Sequence, residues 1–68
     1  MGAAEKMATR LKRLRKQRGH MSQRELARRA GLSRTYVARL EAGQHDPALS
    51  TLEKLAKALR VNLAELLK

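Results

Sequence analysis

The chain has 68 residues and no cysteine, which leaves room for one small domain with a thin core and without a disulfide. Lys and Arg number 16 against 6 Asp and Glu, and the net charge of +10 indicates a polyanionic partner, either nucleic acid or a membrane surface. Leu and Ala supply most of the apolar residues, with no run long enough to span a bilayer and no secretory signal, so the composition favours an all-α fold.

The first two helices are predicted from apolar spacing and from end signals. Apolar residues at helical intervals predict a helix over residues 5–18, which Gly19 ends. The sequence Ser22-Gln-Arg-Glu25 is a capping box, in which the serine caps the next helix and the glutamate reaches back to the cap. Gly31 ends this second helix, which therefore covers residues 22–30.

The third and fourth helices carry similar signals. Ser33 caps a helix over residues 33–42, and Gly43 ends it. After a loop around a proline, Leu49 or Ser50 opens a fourth helix with leucines on one face. In both helices the apolar residues recur at helical spacing, which predicts one buried face on each.

The end of the chain completes a single predicted domain. Asn62 is placed to cap a short fifth helix. The fold class is therefore all-α, a compact five-helix bundle over residues 1–68 in which residues 1–4 form a frayed end. No repeat or flexible linker interrupts it.

The positive charge is unevenly distributed along the chain. Residues 1–40 hold 12 Lys and Arg against 2 acids, whereas residues 41–68 hold 4 of each. A solvated arginine-rich surface is the alternative interpretation, but a localised basic half indicates a binding face backed by a scaffold.

The connection between the second and third helices is the most informative segment. Three residues join them, which forces a steep crossing and requires a small residue at the contact, here Ala27. Gly31 follows four positions later, where the corner needs positive φ, and Val37 is the apolar residue that packs back. This spacing resembles a helix-turn-helix motif, which implies that the third helix enters the major groove while the N-terminus of the second meets a phosphate.

Longer stretches carry a more specific resemblance. They are similar to the lambda repressor/Cro-type (XRE) helix-turn-helix family, and most of all to restriction–modification controller proteins and small phage-type repressors. The stretches are Ser22-Gln-Arg-Glu-Leu-Ala27, Ala30-Gly-Leu-Ser-Arg-Thr-Tyr-Val37 and Leu40-Glu-Ala-Gly43. The resemblance implies a lambda repressor-like DNA-binding domain that regulates transcription.

The resemblance also implies roles for individual residues. Those expected to contact bases lie on the third helix: Arg34, Thr35, Tyr36 and Arg39. Those expected to contact phosphates are Arg18, Ser22, Gln23, Arg24, Gln44 and His45. In the family a glycine usually precedes the last helix, at a position that tends to need positive φ. Arg60 stands there in this chain and is expected to be strained by about 1 kcal/mol.

Two further groups are assigned a structural role. Arg15 lies at the edge of the apolar stripe of the first helix and Glu41 projects inward, so we expect a structural ion pair between them. Three leucines close to the end, Leu63, Leu66 and Leu67, either complete the core or form a two-fold interface. The second interpretation predicts a homodimer on a palindromic operator with half-sites about 34 Å apart.

Other functions fit the sequence less well. An antitoxin of a toxin–antitoxin pair shares this fold and is the main alternative, although it would usually carry a separate toxin-binding tail. A basic membrane peptide would not need capping boxes. No catalytic constellation appears, so no enzymatic activity is expected. We also expect no metal, cofactor or small-molecule ligand and no membrane partner, and a location in the cytoplasm, at the nucleoid of a bacterium.

Overall fold

The computed structural model describes residues 2–67 and contains no strand in that range. The elements are α1 (Ala3–Leu14), a π-helical turn (Arg15–Gly19), α2 (Gln23–Ala30), α3 (Arg34–Glu41), α4 (Leu49–Leu59) and α5 (Leu63–Leu67). The predicted all-α bundle of five helices is confirmed. Ala3 and Ala4, within the stretch expected to fray, are part of α1, and Met1 lies outside the described residues.

Each helix contributes one fully buried leucine to a common core. These residues are 0 or 1% exposed: Leu11, Leu26, Leu40, Leu55 and Leu66. Burying a leucine side chain contributes roughly 1.5–3 kcal/mol, so each helix is held mainly by its apolar face. Leu66 is therefore wrong as a dimer contact, because α5 packs against α1 and α4 and turns this side chain into the protomer's own core.

The first helix does not end as predicted. Gly19 still has helical backbone, and His20 is the residue that takes the left-handed conformation, with φ 50°. The turn widens before it, and the Met21 N–H donates to the Arg15 carbonyl at 3.2 Å. The wider turn holds one more residue than an α-helical turn and leads the chain to Met21, which is 7% exposed. A side chain at position 19 would displace Met21.

Three helices begin with the predicted side-chain caps. The Ser22 hydroxyl accepts the Glu25 N–H at 3.0 Å, and the Ser33 hydroxyl accepts the Tyr36 N–H at the same distance. Asn62 caps α5 in the same way, through its side-chain oxygen. These caps satisfy backbone donors that a helix start would otherwise leave free.

The Glu25 carboxylate does not complete the predicted capping box. It accepts hydrogen bonds from Arg29 at 2.7 Å and from Arg28, both further along α2. The bond from Arg29, and next that from Arg28, lowers the pKa of Glu25 below its usual value. Two guanidinium partners thus compete successfully with a single backbone N–H.

Left-handed residues mark the ends of the other helices. Gly31 has φ 72° and Gly43 has φ 74°, which glycine adopts without cost. Arg60 has φ 58°, so the prediction of a strained arginine before the last helix is confirmed. The strain costs roughly 1–2 kcal/mol for a residue with a Cβ.

Within residues 2–67, no helix is long and apolar enough to cross a membrane. In the same range no group of three or more His, Asp or Glu side chains converges to hold a metal ion.

Candidate nucleic-acid interface

The corner between α2 and α3 is built as its spacing predicts. Ala27 is 2% exposed and Val37 is fully buried, so the two helices meet closely at these positions. The Leu32 N–H donates to the Ala27 carbonyl at 2.8 Å, directly after the left-handed Gly31. Because the corner is rigid and packed, the outer face of α3 stays at the surface.

That outer face carries most of the residues predicted to contact bases. Arg34, Thr35 and Arg39 are exposed, and Ala38 between them is half-buried and small. Tyr36 differs, since it is half-buried and packs against the core. The outer face of α3 thus presents two guanidinium groups and a hydroxyl, with the small Ala38 side chain between them.

A buried network joins the π-helical turn, α2 and α3 behind this face. Arg15 donates to both carboxylate oxygens of Glu41, from Nε at 2.7 Å and from Nη2 at 3.0 Å, and from Nη1 to the Met21 carbonyl at 2.6 Å. The side chains of Arg15 and Glu41 are 11% and 2% exposed. The structure therefore brings together the two residues expected to pair.

Gln23 belongs to the same network, which the sequence did not indicate. Its Nε2 donates to Glu41 Oε1 at 3.1 Å. An amide nitrogen carries two hydrogens, so one N–H of this half-buried side chain remains for a ligand. The Glu41 carboxylate therefore orients the Gln23 amide with its nitrogen toward Glu41. The inward position of Glu41 was the available signal, but it did not specify a second donor.

An open depression lies where α2 begins. It measures about 450 Å³ and is lined by Arg15, Ser22, Gln23, Arg24 and Arg34. The first amides of α2 also point out of the helix at this end, because no turn precedes them. The positive end of the helix dipole and the guanidinium groups of Arg24 and Arg34 make this depression a favourable place for an anion.

The loop after α3 lies beside the same face. Gln44 and His45 are exposed, and the Gln44 N–H donates to the Arg39 carbonyl at 3.1 Å. The His45 ring meets Tyr36 edge-on, with ring centres 5.3 Å apart and planes at 70°. This aromatic contact, which the sequence did not predict, ties the loop to α3.

Arg18 does not join the other residues expected to contact phosphate. It pairs with Glu65 of α5 at 3.2 Å, and its side chain is 54% exposed. The π-helical turn rotates this residue toward the last helix. Its predicted phosphate contact would require it to leave that pair.

The leucines near the end of the chain have different environments. Leu63 is half-buried against the core, whereas Leu67 is 52% exposed. Leu49, at the start of α4, is 59% exposed and was not singled out by the sequence pattern. Two large apolar side chains are therefore open to solvent.

Comparisons with known proteins match this geometry. A family profile described as helix-turn-helix matches residues 11–66. The immunity repressor protein of Bacillus phage phi105 is 44% identical over 55 residues, which make up 81% of this chain but only 38% of the repressor. The control protein C.MunI of Mycoplasma sp is 36% identical over 61 residues, covering 90% of this chain and 82% of that protein.

A solved structure is also similar to this chain over most of its length. The restriction-modification controller protein C.AhdI from Aeromonas hydrophila superposes with a TM-score of 0.88 and 41% identity, over 93% of this chain and 94% of that one. The packed corner, the exposed outer face of α3 and the profile match over most of the sequence lead to one conclusion. This chain belongs to the helix-turn-helix family.

Proposed function

We propose that the protein is a sequence-specific, double-stranded DNA-binding transcription regulator that inserts α3 into the major groove. The observation that carries this proposal is the exposed row of Arg34, Thr35 and Arg39 beside an anion-favouring depression at the start of α2. Relatives named as a repressor and as control proteins support it. Such a role belongs in the cytoplasm of a bacterium, at the nucleoid.

Phosphate contacts in this proposal come from the rim of the recognition face. The α2 amides, the Arg24 guanidinium and the second N–H of Gln23 surround one phosphate in the depression, with Ser22 at its edge. The loop residues Gln44 and His45 meet a second segment of backbone. These contacts fix the orientation of the domain on the duplex and act alike on all sequences.

Base contacts come from α3. An exposed guanidinium on a helix in the groove is suited to the O6 and N7 acceptors of guanine, and α3 carries two, Arg34 at its start and Arg39 in its last turn. Thr35 offers a hydroxyl and a methyl group to base edges. Tyr36 is restricted by its packing and by His45, so its contact is limited to its hydroxyl end.

The protein acts as a homodimer on a palindromic operator in this proposal. Exposed Leu67, with half-buried Leu63 beside it, supplies the apolar contact with a second copy. Two recognition helices would then occupy half-sites about 34 Å apart, one turn of the duplex. Leu66 has no part in it, since it is fully buried within the protomer.

Selection from a random duplex library, followed by sequencing, tests the proposal. We expect enrichment of a palindrome whose half-sites are one helical turn apart. Arg39→Ala should lose preference at one base pair of each half-site, while Lys57→Ala, on an exposed face of α4, should keep the wild-type preference. A library that remains unenriched would overturn the proposal.

A further inference from the structure

The acidic residues of the chain neutralise only some of its cations. Three carboxylates within residues 2–67 form ion pairs: Glu41 with Arg15, Glu65 with Arg18, and Glu25 with Arg28 and Arg29. Among the described residues, the cations outside these pairs include one group at the recognition face and another along α1. The second group has no role in the proposed operator contact.

The group on α1 forms a continuous surface, which we call the α1 stripe: Lys6, Arg10 and Arg13. These three residues and Thr9 line one open depression of about 190 Å³. A second depression of about 300 Å³ shares Lys6 and Arg10 with it. Lys6 and Arg13 are exposed, and neither lining contains an acidic residue. The stripe extends about 10 Å along the helix axis.

The α1 stripe lies on the side of α1 that borders α5. Met7, Leu11 and Leu14 turn another side of α1, roughly a quarter of a turn away, into the core, where it packs against α3. Arg10 lies at the side next to α5, where its guanidinium approaches the Leu66 carbonyl at 3.5 Å. None of its three residues lines the depression at the start of α2, so the stripe is separate from the anion-favouring part of the proposed operator contact.

We propose that the α1 stripe binds the phosphate backbone of a second DNA duplex, so that the protein can bridge two segments. The charges are spread along one helix, as suits a linear polyanion, and basic side chains bind phosphates without regard to sequence. An acidic amphipathic helix would need several apolar anchors in a groove, and the stripe adjoins one exposed leucine, Leu67. This proposal rests on the proposed function in one respect: the first duplex is the operator that α3 binds.

A bead capture assay tests the bridging. A biotinylated operator duplex is immobilised and loaded with the full chain, and a fluorescent duplex of unrelated sequence is then added. We expect Lys6→Ala/Arg13→Ala to load on the operator like wild type and to capture the second duplex roughly tenfold less. The negative slope of log capture against log salt should become shallower by about 2, because two phosphate contacts are lost.

The matched control is Lys54→Ala/Lys57→Ala, which removes the same charge from exposed positions on α4. Capture that falls equally in both double variants would reflect net charge alone and would overturn the proposal, as would capture unaffected by the stripe substitutions. Binding of a polyglutamate peptide at the stripe without duplex capture would assign the surface to an acidic protein instead. Loading on the operator is read separately, so a failure of the proposed function is distinguishable.

Discussion

The buried ion pair between Arg15 and Glu41 allows a sharp test of how this small domain is held together. The Glu41 carboxylate accepts three hydrogen bonds, two from Arg15 and one from Gln23, and its side chain is 2% exposed. Glu41→Leu would leave the guanidinium buried with only the Met21 carbonyl as acceptor. Breaking such a pair costs about 3–5 kcal/mol.

That cost is large for a chain of this length. At roughly 0.05–0.15 kcal/mol per residue, the whole domain is stable by about 3–10 kcal/mol. We therefore expect Glu41→Leu to be largely unfolded at 37 °C, or to unfold at a much lower urea concentration than wild type. Urea titration followed by circular dichroism at 222 nm measures the difference in the free energy of unfolding.

A double variant separates the two causes of the loss. Arg15→Met/Glu41→Leu replaces both charges with apolar side chains of similar size, so no unpaired charge remains in the core. We expect it to recover to within about 1 kcal/mol of wild type, since well-packed apolar substitutes are often neutral. A double variant as unstable as the sum of the single variants, or a Glu41→Leu loss below about 1 kcal/mol, would refute this account.

Three further predictions concern strain, pH and recognition. Arg60→Gly should raise the free energy of unfolding by about 1 kcal/mol by relieving its left-handed backbone, whereas Lys57→Gly within α4 should lower it by about as much. Glu25→Gln should be less stable than wild type above about pH 5. This difference should shrink as pH falls below 4.5 and vanish below the lowered pKa of Glu25, because the lowered pKa stabilises the fold only while the carboxyl is ionised; a pH-independent difference would contradict it. Arg34→Ala should cost about 1–3 kcal/mol on one operator base pair, while Arg24→Ala weakens all duplexes alike, as measured by fluorescence anisotropy on operator and scrambled DNA. Equal losses on both duplexes for both variants would contradict the assignment of roles.

Much of the fold could be predicted because its signals are local. A serine or asparagine cap and a left-handed glycine act within a few residues of the helix end they define. Ser22 and Ser33 therefore predict the starts of α2 and α3, and Gly31 predicts the end of α2. The exposed face of α3 follows from helical spacing in the same way. The strained Arg60 follows only from the resemblance, since the family usually has a glycine at that position.

The candidate site is less predictable where a polar side chain has more than one partner within reach. From its position alone, Gln23 resembles a phosphate contact, and only the packing of α3 brings Glu41 to its amide. Glu25 resembles half of a capping box, but two arginines on the next turn hold its carboxylate. Arg18 is drawn to α5 by a residue 47 positions away.

The helices, the serine and asparagine caps and the corner between α2 and α3 follow from the sequence, because periodicity and end signals act over a few residues. The packing of distant helices sets the rest: Leu66 closes the core while Leu67 does not, and the first helix ends in a wider turn that buries Met21. Both outcomes depend on the shape of the space left by helices distant in sequence. In a domain this small, a single side chain fills that space and decides which neighbours stay exposed.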